Sequence, residues 1–177
     1  MYLKIFLNFI LIAILALFQF SFVSALPFKL DNFNFTLVAL IIVLMVSSFK
    51  TSLWWVIGLG FLLDTYSFLP FGVYSVCFFL TVLAANFLLN NFFTDRSLYS
   101  FLALTFLSSV CFNLLFYAFI YFWGVFEGEA AIIIFGKEFW INLAWQIFLN
   151  ILAVFFLFHI TNFVSKRLRP VFLERKK

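Results

Sequence analysis

The chain has 177 residues, of which 67% are hydrophobic, 24% aromatic and 10% charged, with a mean hydropathy of +1.19 and a net charge of +4. Soluble domains carry about 25% charged residues because their surface must be solvated, so this composition excludes a water-soluble globular domain. It predicts an all-α, polytopic membrane protein, since each helical crossing takes about 20 mainly apolar residues. The apolar runs are continuous, without the alternation of a membrane barrel, which favours helices over strands.

Six apolar runs, bounded by charged or turn residues, predict a compact bundle of six transmembrane helices. In chain order they cover residues 5–26, 33–49, 52–69, 71–93, 98–124 and 139–164. The second and third runs are the shortest, near the lower limit for crossing a bilayer. Residues 130–135 are apolar but too few to cross, so we expect an interfacial segment there. The six runs form one transmembrane domain, residues 1–165, followed by a basic tail, residues 166–177.

The first run also has features of a secretory signal peptide. It follows Lys4 and ends in Val23-Ser24-Ala25, which has the small residues of a cleavage site. However, it is longer than the usual apolar region of about 7 to 15 residues in signal peptides. We therefore expect it to be retained as the first helix.

The basic residues predict the orientation, because cytoplasmic loops are enriched in Lys and Arg. With both ends of the chain in the cytoplasm, only Lys29 and Lys137 of the 11 basic residues lie outside. Merging the second and third runs into one crossing would move the tail outside, which fits this bias less well. The net charge is thus interpreted as an orientation signal, and no nucleic-acid partner is expected. The residues placed inside are Lys4, Lys50, Arg96, Lys166, Arg167, Arg169, Arg175, Lys176 and Lys177.

The inventory of reactive side chains is small. His159 is the only histidine, and Cys77 and Cys111 lie inside apolar runs, where cysteine usually acts as a small buried hydrophobe. No second histidine or closely spaced cysteine pair accompanies them at the spacing of a metal site. We therefore expect no enzyme activity, no metal and no cofactor, and we interpret His159 as a packing or interfacial residue.

The most distinctive local feature is an acid near the end of the third run. Asp64 is the only acidic residue well inside a predicted span, where a charge costs about 2.5–3.5 kcal/mol on insertion scales. Pro70 and Gly72 follow, and together they should end the helix and start the next one almost at once. Two interpretations of Asp64 remain open. It bonds free amides or hydroxyls at the helix end, or it binds a partner.

Polar residues recur at helical spacing on the last two spans, each set at i, i+4 and i+8. The fifth span carries Thr105, Ser109 and Asn113, and the sixth carries Asn142, Gln146 and Asn150. Amides and hydroxyls in hydrocarbon tend to pair across helices, which favours interhelical hydrogen bonding in the bundle interior. The alternative is a solute cavity lined by the same residues.

The pattern Gly60-x3-Asp64-x5-Pro70-x-Gly72 after the third span, with six short-looped helices and a basic tail, resembles the family of the rod shape-determining protein MreD. The resemblance implies a non-catalytic scaffold of the bacterial cell-wall elongation machinery in the inner membrane. The four signature residues would then serve the fold or partner contact. The sequence departs from the family pattern in its high Phe content and in the bulky residues 65–69.

The partners implied by this resemblance are membrane lipid, MreC, MreB, RodA and a class B penicillin-binding protein. The family is also similar in fold to the S-components of energy-coupling-factor transporters. This similarity makes a substrate-binding subunit of a vitamin or small-molecule transporter the alternative function. The small-residue AxxxA pattern of S-components is absent from the first span, where Ala13 and Ala16 are three apart.

Overall fold

The structure is a computed structural model that describes residues 2–93, 97–127 and 136–173, with side chains for 6–93, 97–126 and 136–160. Throughout this described part the fold is all-helical, as the composition predicts, and it contains no strand. The prediction of six helices is confirmed. They are α1 (Tyr2–Leu17), α2 (Phe35–Val46), α3 (Phe49–Tyr66), α4 (Val73–Asn91), α5 (Leu98–Glu127) and α6 (Lys137–Leu173).

The helical geometry of the chain changes directly after α1. After α1 the chain continues as a π-helical turn, Phe18–Phe22, and then as a 3-10 turn, Val23–Ala25. The following loop, predicted from its Pro and polar residues, turns sharply at Phe28 and Lys29, whose φ angles are 59° and 64°. This loop brings the chain back to the start of α2.

Only two residues, Ser47 and Ser48, separate α2 from α3. The Ser48 side chain accepts a hydrogen bond from the Thr51 amide at 3.4 Å, which caps α3. Helix α3 therefore begins at Phe49, three residues before the predicted run. The gap between the two helices has the predicted length of two residues but lies three residues earlier in the chain.

Among the residues that the structure describes, four helical segments are long and apolar enough to cross a membrane, and α2 and α3 are not among them. Helix α2 has 12 residues, about 18 Å at helical rise, whereas a hydrocarbon core is about 30 Å thick. Six helices thus agree with the prediction, but six crossings are not established by helix length. The four segments are Phe6–Ala25, Val73–Asn91, Leu98–Phe126 and Lys137–Ile160.

The short helix α2 lies at the centre of the bundle. It contacts all five other helices, and six of its residues have no exposed surface. The main helix pairs around it are α3 with α4, α4 with α5, and α5 with α6. A helix enclosed in this way contacts mainly other helices. Its length therefore need not match the thickness of a bilayer. The six enclosed residues are Thr36, Leu37, Val38, Leu40, Ile41 and Met45.

Two predicted features fall partly or wholly outside the described residues. The interfacial segment, residues 130–135, lies outside them. Helix α6 continues to Leu173, so the described backbone has no break at the predicted boundary between residues 165 and 166. The first part of the basic tail is thus an extension of α6, and residues 174–177 lie outside the described chain.

Candidate functional site

Three hydrogen bonds join the end of α3 to the start of α4. The Asp64 carboxylate accepts the Tyr74 amide at 2.8 Å on Oδ1, and the Ser75 amide at 3.1 Å on Oδ2. The Ser75 hydroxyl also donates to Oδ2, at 2.5 Å. These amides belong to the first turn of α4, where no intrahelical acceptor is available. Asp64 therefore caps α4 from the neighbouring helix.

This cap explains how a buried carboxylate is tolerated. Asp64 is 3% exposed, and it lies in the last turn of α3, where the helix dipole disfavours a negative charge. The first turn of α4 supplies the opposite end of a helix dipole and two amide donors, which offset that cost. Of the two interpretations of Asp64, bonding to free amides and a hydroxyl describes this geometry. A partner-binding role stays a prediction.

Gly60 and Gly72 make the joint possible in different ways. A Cβ atom on Gly60 would lie 2.7 Å from Ser75 Cα, so α3 and α4 cross too closely there for any side chain. Gly72 is the N-cap of α4, and its φ of +102° is a backbone conformation that is strained for any residue with a side chain. A Cβ atom at this position would meet nothing within 4 Å, so the backbone conformation alone favours glycine. Pro70 completes the turn, because its carbonyl accepts the Val73 amide at 3.4 Å. The four signature residues thus form one structural unit, the α3–α4 joint.

The polar residues of α5 and α6 meet in the bundle interior, mostly as predicted. The Asn113 side-chain amide donates to Gln146 Oε1 and, at 2.8 Å, to the Ser109 carbonyl. The Asn150 amide donates to Ser109 Oγ at 3.0 Å. All four side chains are buried. The Asn113–Gln146 and Asn150–Ser109 contacts are hydrogen bonds between α5 and α6, the favoured interpretation of the spacing, whereas the Asn113–Ser109 contact lies within α5.

The other two predicted interior residues lie elsewhere. Thr105 is fully buried, but its hydroxyl bonds the Phe101 carbonyl of its own helix at 2.7 Å. Asn142 is half-buried and accepts the Lys29 ammonium at 3.0 Å. Lys29 also pairs with Glu138 at 2.9 Å, so Asn142 belongs to a surface cluster that ties the first loop to α6. Helical spacing identified the shared face but not which of its residues would find a partner.

The start of α2 is held by residues that the sequence analysis missed. The side chain of Asn34 caps α2, because its Oδ1 accepts the Leu37 backbone amide at 3.0 Å. The backbone amide of Asn34 donates to Asn150 Oδ1 at 3.2 Å. In the π-helical turn, Gln19 accepts the Phe35 amide at 2.8 Å and donates to the Phe33 carbonyl at 3.0 Å. Asn34 carried a usable signal, since Asn just before an apolar run is typical of an N-cap. For Gln19, the only indication in the sequence was a polar residue within an apolar run, which does not predict its partners.

A cavity of about 340 Å³ opens beside these contacts. It lies among the ends of α1 and α3, the starts of α2 and α4, and the middle of α5 and α6, and both polar and aromatic side chains line it. Of the six polar residues predicted to line a solute cavity, only Asn113 and Gln146 do so. A solute cavity lined by all six residues stays a prediction.

The site residues thus fall into the α3–α4 joint, the Ser109–Asn113–Gln146–Asn150 cluster and the cavity next to it. Within the described residues, no group of three or more His, Cys, Asp and Glu side chains is arranged to hold a metal ion. His159 is exposed, and its ring packs edge-on against Phe155 with centroids 4.4 Å apart. Comparison of the chain with protein-family models, with curated proteins and with solved structures finds no match.

Proposed function

We propose that this chain is a non-catalytic membrane scaffold of the bacterial cell-wall elongation machinery, the function implied by its resemblance to MreD. The observation that carries the proposal is the α3–α4 joint. Its signature residues Gly60, Asp64, Pro70 and Gly72 converge on the first turn of α4, and both carboxylate oxygens of Asp64 are used in holding it. An acid engaged in this way positions helices and is poorly placed to transfer protons.

The proposed topology has six crossings with both ends of the chain in the cytoplasm of a bacterial inner membrane. The basic-residue bias and the four long apolar segments support it. Helix α2 would cross enclosed by the other helices, and α3 would cross beside it with one exposed face, which carries Trp54, Ile57 and Phe61. The joint and the Lys29–Glu138 pair would then face the periplasm.

The proposed partners are MreC, MreB, RodA and a class B penicillin-binding protein, together with membrane lipid. Partner docking at the joint is supported by its exposed aromatic side chains. Phe68 is fully exposed in the turn, and Phe71 is 67% exposed. Aromatic side chains of this kind frequently act as anchors in protein interfaces. They flank the capped turn, which would hold them in a fixed orientation.

The proposal is tested by crosslinking and copurification of a tagged chain from native membranes. We expect elongation proteins to be recovered with the wild type, and their recovery to fall in Asp64→Ala, which releases the first turn of α4. Because Asp64→Ala also weakens the fold, Phe68→Ala is the more specific variant, since it leaves every hydrogen bond of the joint intact. Phe28→Ala is its matched control, being 89% exposed but on the loop between α1 and α2.

Two outcomes would overturn the scaffold proposal. One is recovery of no elongation protein with the wild-type chain. The other is recovery of a bound solute together with an ATPase module, which would support the alternative, an S-component-like transporter subunit. The cavity of about 340 Å³ is the observation that favours this alternative.

A further inference from the structure

The cavity beside the Ser109–Asn113–Gln146–Asn150 cluster has one charged residue in its described lining, and the proposed scaffold function does not require this cavity. Asp31 is the only charged residue among the described residues that line it, and it lies in the exposed part of the lining. Lys29 is close in sequence but does not line the cavity, and its ammonium is paired with Glu138 and Asn142. The described lining therefore favours a cation over an anion at its mouth.

The buried part of the lining offers a hydrogen-bonding pair. Both amide protons of Asn113 are used, towards Gln146 Oε1 and the Ser109 carbonyl, so Asn113 Oδ1 is left as an acceptor. Gln146 accepts with Oε1, and its Nε2 makes no bond to the described residues. Within the described chain, the only fully enclosed side-chain atoms without a partner are on Thr81 and Ser108. The free donor and acceptor of the Asn113–Gln146 pair therefore retain accessible surface, and both residues line the cavity.

One wall between these two ends is aromatic. The rings of Phe112 and Phe116 stack with centroids 5.6 Å apart, and Tyr74 packs against Phe116 at 5.2 Å. Phe112 also stacks on Phe78 at 4.9 Å and is 4% exposed, so both of its faces are covered, whereas Phe116 is only partly buried. Tyr117 follows on the same helix and also lines the cavity. Such ring faces attract cations and flat rings, because their quadrupole is negative at the face.

We propose that this cavity binds a small protonated aromatic or heterocyclic amine. Its ammonium group pairs with Asp31 at the mouth, its ring lies against Phe116 and Tyr117, and its polar edge reaches the Asn113–Gln146 pair. The volume of about 340 Å³ lies in the range of small-molecule pockets, about 300–1,000 Å³. This ligand site is independent of partner docking at the α3–α4 joint.

The test is calorimetric titration of the purified full-length chain in nanodiscs of phosphatidylglycerol. Four probes share a phenylethyl skeleton, and each of the last three differs from the first in one group: tyramine, its neutral analogue tyrosol, the anion 3-(4-hydroxyphenyl)propionate, and phenethylamine, which lacks the phenolic hydroxyl. We expect tyramine to bind at least about fivefold more tightly than tyrosol, because the Asp31 contact is lost in the neutral probe. Phenethylamine should bind more weakly than tyramine, and the anion should not bind.

Charge variants separate the site from general attraction. Asp31→Asn, at an exposed residue, should abolish the preference for tyramine over tyrosol. The control Glu138→Gln removes the same charge from a residue outside the cavity lining and should preserve that preference. Equal binding of tyramine, tyrosol and the anion, no binding of any probe, or an equal effect of both variants would overturn the proposal. Loss of tyramine binding in phosphatidylethanolamine nanodiscs would also overturn it, because a lipid ammonium group would then be the occupant.

Discussion

Asp64 and Ser75 are joined twice, by the Ser75 hydroxyl at 2.5 Å and the Ser75 amide at 3.1 Å, across the crossing of α3 and α4. The two residues are eleven positions apart in the chain, on opposite sides of a tight turn. Their contact unites a helix end, a helix start and a close helix crossing in one place. The predictions below begin from this contact.

Removing the carboxylate should destabilise the protein. We expect Asp64→Ala to lower the free energy of unfolding by about 2 kcal/mol, because the Tyr74 and Ser75 amides lose their acceptor in a buried site. Asp64→Asn should cost less, since its oxygen still accepts one amide. The measurement is unfolding by sodium dodecyl sulfate in maltoside micelles, followed by tryptophan fluorescence. Asp31→Ala removes an exposed acid and serves as the control. Equal losses in Asp31→Ala and Asp64→Ala would contradict the capping role.

The close crossing makes a separate prediction. In Gly60→Ala the added methyl would meet the Ser75 backbone at 2.7 Å, so the helices must separate. We expect a loss of about 1–3 kcal/mol in the same unfolding assay, as for other overpacked sites. Gly124→Ala is the matched control, because a Cβ there meets nothing within 4 Å and alanine favours a helix. If both variants were equally stable, the crossing would be wider than described.

The interior amide pair is tested by a double-mutant cycle. We expect Asn113→Leu and Gln146→Leu to show a coupling energy of about 0.6–2 kcal/mol, the range for hydrogen bonds between membrane helices. The control cycle pairs Asn113→Leu with Thr105→Val. Thr105 lies two turns away and bonds its own helix, so its coupling to Asn113 should be near zero. Similar coupling in the two cycles would argue against the Asn113–Gln146 bond.

Reporter fusions distinguish six crossings from five. With six crossings the tail is cytoplasmic. Green fluorescent protein fused to the C-terminus should then fluoresce, and alkaline phosphatase fused there should be inactive. If α2 and α3 together crossed only once, the pattern at the C-terminus would be reversed. A fusion after Phe28 should give active phosphatase in both cases and therefore controls for expression and export.

The sequence predicted the helices well because their signal is local. Long apolar runs define α1, α4, α5 and α6, and the turn at Pro70 and Gly72 was identified from backbone chemistry. The positions of helix starts were less accurate, since they depend on which of several polar residues supplies the cap. Ser48 caps α3, which begins three residues before its predicted start, whereas α5 begins at the predicted residue 98, where Ser97 accepts the Ser100 amide at 3.3 Å.

The candidate site was only partly predictable, because its contacts join distant parts of the chain. The spacing of Ser109, Asn113, Gln146 and Asn150 was sufficient to place them on facing sides of α5 and α6. Nothing in the sequence pairs Gln19 with Phe33 and Phe35, since that contact needs the wider π-helical turn. The cavity likewise lies where residues from distant parts of the chain meet, so no local sequence pattern predicts it.

The cap on α4 also has a consequence for biogenesis. Helix α3 carries Asp64 and is not among the segments apolar enough to cross a membrane by themselves. Its carboxylate finds its donors only after the ribosome has added Tyr74 and Ser75 and the first turn of α4 has formed. We therefore expect the translocon to retain α3 until α4 emerges and to release the two helices into lipid together, as a preassembled hairpin.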